Sequence, residues 1–382
     1  MTRFYYLKRR LSWGSSALLL FCAAGSAGKP GLSADDIRGL LEPIRAEYRL
    51  PAMAGAVVTS GGLQALGAVG VRRAGTDIPV TDGDLWHLGS DTKAMTAALI
   101  GSLVEKGLLR WETTVGEIFP ELVKNNPSPL AGVNLLHLLS HRSGLPPDPT
   151  AGWWIVPRAD TIQGRRLNVL AMALKDKPVA APGEKYVYSN FGYVVAGAMA
   201  EQVTGAPWEE LISAEIFNPL GMRSAGFGGV GTPGEIDQPW GHGADGKPVL
   251  RNGPDIDKPP VLGPAGRVHC KLEDWAKFVA DQLRGARGES GLLKPETYRI
   301  LHTPPFEGNY ALGWIVVERE WGGGKVLSHA GSNLMNYALV WMAPLKDFAV
   351  LIVTNQGGPA AERACDKAAA ALISRIRGSN RP

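Results

Sequence analysis

Leu85-Trp-His-Leu-Gly-Ser-Asp-Thr-Lys-Ala-Met-Thr-Ala-Ala-Leu-Ile100 is the stretch on which the reading of this chain turns. Strand-like residues 85–88 run into a helix expected from 91 to about 106, which Gly107 stops. Ser90 stands at the junction, where its hydroxyl can point into a cleft. Lys93 follows one helical turn later and shares that face. An amine beside a serine can take its proton when the amine is desolvated and near another cation.

Working outward, two further short groups matter: Tyr188-Ser-Asn190 and His329-Ala-Gly331. Each is weak alone, since S-x-x-K recurs at Ser26 to Lys29 and K/H-x-G at Lys29 and His87. With Ser26 to Lys29 set aside at the expected export junction, one combination runs in the order S-x-x-K, Y-x-N, H-x-G. Tyr188 can share the proton network and protonate a leaving group. Asn190, two residues on in an expected extended segment, points to the same side and can orient Lys93 and bind substrate. His329 is expected to end a strand, with Gly331 letting substrate approach the backbone. The backbone N–H groups of Ser90 and Ser332 could form an oxyanion hole.

The surrounding pattern begins with a helix from Ser33, a natural N-cap, to about Tyr48. Strands at about 54–60 and 63–71 form a hairpin through Gly61-Gly62. Helices are expected at about 134–141, 165–176, 191–204, 207–214, 273–284 and 294–302. Strands follow at 311–319, 325–329, 335–343 and 348–354, then a final helix from about 360 to 377. The Gly/Pro-rich excursion 222–266 is long enough to be an active-site wall or a mobile loop. The fold class is therefore α/β (α+β): one antiparallel sheet built from both termini, flanked by helices, with a mainly helical insertion. The expected division is 28–84 plus 305–382 for the sheet domain and 85–304 for the insertion.

Before these elements, residues 1–27 carry Arg3, Lys8, Arg9 and Arg10, then an apolar run, then Gly25, Ser26 and Ala27. That order predicts an export signal cleaved near Ala27, and hence a periplasmic or secreted protein without stable membrane insertion. Of the 40 Lys and Arg residues, 36 then remain against 36 Asp and Glu, so nothing favours nucleic acid. Cys270 and Cys365 remain after cleavage, and two separate buried thiols are expected rather than a bridge.

Other motifs do not hold. Gly226 to Gly231 and Gly241 to Gly246 fit G-x-G-x-x-G, but neither follows a strand and opens a helix. His137 and His141 sit i, i+4 without a Glu base or third ligand, so no metal is expected. No G-x-S-x-G elbow occurs. No organic cofactor is implied, and the expected partner is a small-molecule or peptide substrate. The oligomeric state is left open.

The chain resembles the serine β-lactamase and penicillin-binding-protein superfamily, in the branch with class C β-lactamases, D,D-peptidases and related esterases. Further blocks carry the likeness: Leu138-Leu-Ser-His-Arg-Ser-Gly-Leu145, Ile216-Phe-Asn-Pro-Leu-Gly-Met222, Pro264-Ala-Gly266 and Tyr310-Ala-Leu-Gly-Trp314. The resemblance implies a β-lactamase/transpeptidase-like fold, with Ser90 as nucleophile, Lys93 and Tyr188 as the proton-transfer pair and Asn190 as binding partner. His329 takes the place of the lysine in K-T-G, which predicts weak recognition of substrate carboxylates. An exported esterase or D,D-peptidase-like hydrolase is the leading expectation, with β-lactamase as an alternative. A non-catalytic penicillin-binding sensor is the alternative of another class.

Overall fold

Nine strands order the described residues: β1 (Ala52–Thr59), β2 (Gly62–Gly70), β3 (Leu85–His87), β4 (Gly226–Phe227), β5 (Val268–Lys271), β6 (Ile315–Arg319), β7 (Gly324–Ser332), β8 (Tyr337–Ala343) and β9 (Phe348–Thr354). This computed structural model describes residues 32–379, so the expected export segment 1–27 lies outside the described residues. Six strands form one antiparallel sheet in the order β2-β1-β9-β8-β7-β6, and β3-β5-β4 form a smaller one. The large sheet thus joins the two ends of the described chain, because β1 pairs with β9 from Met53↔Thr354 to Val58↔Ala349.

Seven longer helices surround the sheet: α1 (Ala34–Tyr48), α2 (Thr92–Glu105), α3 (Ile162–Lys175), α4 (Asn190–Thr204), α5 (Leu272–Ala286), α6 (Pro295–Leu301) and α7 (Pro359–Ser379). Both faces of the central strands are covered, which explains why β9 is buried along its whole length. Met53, Val57, Val350 and Ile352 pack with α1 and α7, whereas Ala54, Ala56, Leu327 and Leu351 join the larger core with α2 and α5. Cys270 lies in the larger core and Cys365 in the other, both buried and free.

Helix α2 is buried from Thr92 to Leu103, and Lys93 is its one charged residue in that stretch. Three segments differ from the sequence expectation. The strand expected from 311 begins at Ile315, because Ala311–Trp314 form a turn with Gly313 at φ +83°. A Cβ on Gly313 would sit 2.6 Å from the Cα of Ala94, so this turn lies directly on the first turn of α2. The helix expected to end at 214 continues through a π turn to Phe217. Strand β7 runs on to Ser332, which places His329 inside the strand rather than at its end.

Candidate active site

Gly89 lets the chain turn from β3 into α2. Its φ of +52° is a left-handed conformation that favours glycine, and an added Cβ would lie 2.4 Å from the Ser332 nitrogen. On the facing strand, a Cβ on Gly331 would lie 2.0 Å from the Leu88 carbonyl oxygen and 2.5 Å from the Ser90 nitrogen. The two glycines let β7 press against the Ser90 turn, which brings the backbones of Ser90 and Ser332 together. Gly331 therefore serves the close approach of two protein backbones; the approach expected of it was to substrate.

Three oxygens surround the Lys93 ammonium nitrogen. Nζ lies 3.0 Å from Ser90 Oγ, 2.8 Å from Asn190 Oδ1 and 2.6 Å from the Ala265 carbonyl oxygen. Two of these can only accept, whereas the serine hydroxyl can also donate. Burial, and then the nearby Lys258 charge, push the Lys93 pKa well below the usual lysine range. A neutral amine donating to Asn190 and Ala265 leaves its lone pair for the Ser90 hydroxyl.

Tyr188 completes the cluster from the segment before α4. Its ring centroid is 4.8 Å from Lys93 Nζ, and the Ser90 hydroxyl is its hydrogen-bond partner. Burial pushes the phenol above its ordinary range, so it stays protonated. Asn190 is not in an extended segment: it is the first residue of α4, which Ser189 caps by accepting from the Gly192 N–H. Its amide nitrogen donates to Asp148 Oδ1 at 3.1 Å, which fixes the amide oxygen toward Lys93. Beneath Tyr188 the buried His141 ring packs at 4.2 Å, and its Nδ1 accepts from the Ser189 N–H.

The third motif is placed differently from expectation. The His329 side chain is 3% exposed, with Nε2 2.9 Å from the Tyr310 hydroxyl and Nδ1 3.5 Å from Asp91 Oδ1. His329 is thus buried behind the site against the Tyr310 hydroxyl, with Asp91 beside it, and its ring is turned away from the open cleft. Arg142 donates to the Glu184 and Glu307 carbonyls and joins two loops.

What the sequence reading missed comes mainly from the excursion 222–266. Lys258, Ala265 and Ser332 line one small cleft with Ser90 and Asn190. Among the described residues the half-buried Lys258 ammonium has no ion-pair partner. Its neighbour Asp257 is fixed by His87 Nε2 at 2.9 Å, Arg267 Nε at 3.1 Å and Asn333 Nδ2 at 3.1 Å. His87 Nδ1 accepts from the Gly89 N–H, so the other ring nitrogen carries the hydrogen given to Asp257. The loop that presents Lys258 is thereby fastened to the residues beside both Ser90 and Ser332. The excursion is a wall of the site, one of the two readings its length and Gly/Pro content allowed, but nothing in the sequence singled out Lys258.

Arg166 fixes the end of the same excursion. Buried on α3, it donates to the carbonyls of Pro260 at 3.2 Å and Val261 at 3.3 Å and pairs with Glu201 and Glu209. Four residues beyond Val261 is Ala265, the acceptor for Lys93.

Comparison with known proteins agrees with this geometry. The family model described as Beta-lactamase matches residues 37–375. Penicillin-binding protein 4 of Amycolatopsis lactamdurans is 27% identical over 335 residues, 83% of this chain and 84% of that protein. Unguisins hydrolase ungD of Aspergillus violaceofuscus is 27% identical, with 81% of this chain aligned to 59% of that protein. The Beta-lactamase of Escherichia coli is 25% identical, over 70% of this chain and 66% of that protein. Among solved structures, the octameric penicillin-binding protein homologue from Pyrococcus abyssi superposes with a TM-score of 0.69 at 23% identity, covering 89% of this chain and 77% of that one. That likeness shows the fold.

Proposed function

Because the chain belongs to the beta-lactamase family, we propose that it is a serine hydrolase working through an acyl-enzyme on Ser90. The observation that carries the reading is the set of three oxygens around Lys93 Nζ. They suit a neutral amine with two donors spent on fixed acceptors and a lone pair turned to Ser90. Lys93 takes the Ser90 proton as Oγ attacks the scissile carbonyl. The oxygen of the tetrahedral intermediate faces the backbone amides of Ser90 and Ser332. Tyr188, kept as a phenol by burial, relays the proton to the leaving group. Water then enters, the same groups run in reverse, and the acid is released.

The reading favours an ester or peptide-like amide, with β-lactams as the alternative acyl donors. Lys258 takes the part that the buried His329 cannot: it offers a cation in the cleft to an anionic group near the scissile bond. The basic, apolar, then small order of residues 1–27 supports export to the periplasm or beyond.

A substrate panel read by turnover and by intact-protein mass tests this reading. The panel holds short p-nitrophenyl esters, D-Ala-D-Ala peptides and a chromogenic cephalosporin. Turnover of at least one class, with a mass adduct lost in Ser90→Ala, is the expected result. Stable adducts without turnover would identify a sensor instead, and neither adduct nor turnover with any class would overturn the proposal.

A further inference from the structure

A second cavity, of about 550 Å³, opens between the end of α5, the outer face of α6, the start of β7 and the turn after β8. Its volume lies in the range of small-molecule sites. Lys325 and Ser332 are seven residues apart on β7, about 23 Å at the usual strand rise, so this cavity lies well away from Ser90. One wall carries Arg299 and His302 from α6 and its cap, and another carries Lys325 and Leu327 from alternate positions of β7. Pro344 and the exposed Leu345 add apolar surface.

Two of the cations around the cavity are unpaired. Arg287 is already engaged, donating to the Pro344 carbonyl and pairing with Glu289. Arg299 and Lys325, both exposed, have no hydrogen-bond or ion-pair partner among the described residues. The lining contains one acid, Glu296, which forms no ion pair with either cation. Glu318 stands opposite Lys325 on β6, also without an ion pair.

His302, in the same lining, is neutral and adds no charge of its own. His302 is 5% exposed and its Nε2 is 3.0 Å from Gln282 Oε1. Its Nδ1 is closed to solvent and has no partner. Burial, with the Lys325 charge, lowers the His302 pKa to about 3, so the ring is neutral. With Nε2–H given to Gln282, Nδ1 is left as an acceptor without a donor.

We propose that this cavity is a binding site for a small amphipathic anion: its carboxylate, sulfonate or phosphate head is held by Arg299 and Lys325, and its apolar body lies on Leu327, Pro344 and Leu345. Such a ligand pairs both cations and covers apolar surface in one step. The site is separate from the acyl-transfer cleft and does not depend on what Ser90 does.

Titration of the whole protein with the fluorescent anion 8-anilinonaphthalene-1-sulfonate tests this, with uncharged N-phenyl-1-naphthylamine as its partner probe. Saturable binding of the sulfonate is expected, unchanged in Ser90→Ala. Arg299→Gln and Lys325→Gln should each weaken it about fivefold and the double variant more than twentyfold, while binding of the uncharged probe changes less than twofold. Both side chains are exposed, so unchanged unfolding midpoints should accompany the loss. Absent or non-saturable sulfonate binding would overturn the proposal, as would binding untouched by the double variant. Competition by a covalent Ser90 acylating agent would also overturn it, since it would place the probe in the catalytic cleft.

Discussion

The Nζ of Lys93 lies 2.6 Å from the carbonyl oxygen of Ala265, a residue 172 positions further along the chain. This contact ties the helix that bears the proposed nucleophile to the end of the Gly/Pro-rich excursion. A lysine in a fully buried site must lose its charge or have it matched. Here Asn190 and Ala265 supply acceptors without a formal charge, and Lys258 adds a repelling cation. Burial and the Lys258 charge favour the amine that acyl transfer requires.

Ser90→Ala is expected to lower turnover of any accepted substrate by at least about 10³-fold, since loss of a nucleophile removes the whole covalent route. The Ser90 side chain is partly open to the cleft, so the unfolding midpoint should stay within a few degrees of the parent. Steady-state rates and thermal unfolding on the same sample check this. Activity within tenfold of the parent would place the chemistry elsewhere.

Arg166→Met should act on both stability and rate. It leaves the buried Glu201 without its counter-charge and the Pro260 and Val261 carbonyls without a donor. Breaking a buried ion pair from one side commonly costs about 3–5 kcal/mol. Because those carbonyls precede Ala265, kcat should fall more than KM rises. Denaturant unfolding and steady-state kinetics report the two effects. A loss below about 1 kcal/mol would show that the cluster does not hold the excursion in place.

The sheet and its pairing from both termini were legible, because β1, β8 and β9 are near-continuous apolar runs and α1 opens on a capping serine. Ser90, Lys93, Tyr188 and Asn190 were legible as motifs, and the fold brings all four to one cleft. Lys258 was not, since a lone lysine in a loop carries no periodicity, and its position depends on Asp257 meeting residues from three other segments. His329 was read at the wrong depth for a related reason. Its motif shows a strand and a glycine but not that Tyr310 and Asp91 enclose the ring.

Gly331→Ala should disable the site while a glycine replaced in open space does not. The new methyl would meet the Leu88 carbonyl at 2.0 Å and the Ser90 nitrogen at 2.5 Å, both backbone atoms. Relief requires β7 to move off the Ser90 turn, at a cost of about 1–3 kcal/mol, and the Ser332 amide would move with it. Activity should fall at least about 100-fold. Gly39→Ala, on the exposed face of α1 with nothing within 4 Å, should instead gain about 0.5–1 kcal/mol with unchanged rate. Equal activities of the two variants would refute the close-approach argument.

Lys258→Gln separates the two parts assigned to that lysine. As a cation beside Lys93, it favours the neutral amine. Lys93 must be neutral to accept the Ser90 proton, so the rate rises with pH as Lys93 deprotonates. Removing the neighbouring charge raises the Lys93 pKa, and the acid limb of kcat/KM should move to higher pH. Neutral esters should therefore react more slowly below that limb and at the parent rate above it. As the cation in the cleft, Lys258 also meets anionic substrates. On the high-pH plateau, kcat/KM for a substrate with a free carboxylate should drop about tenfold relative to its neutral ester analogue, the size of one charge-assisted contact. His329→Gln should leave that ratio unchanged, because its ring is enclosed by Asp91 and Tyr310. A ratio that falls with His329→Gln and not with Lys258→Gln would return carboxylate recognition to the H-A-G strand.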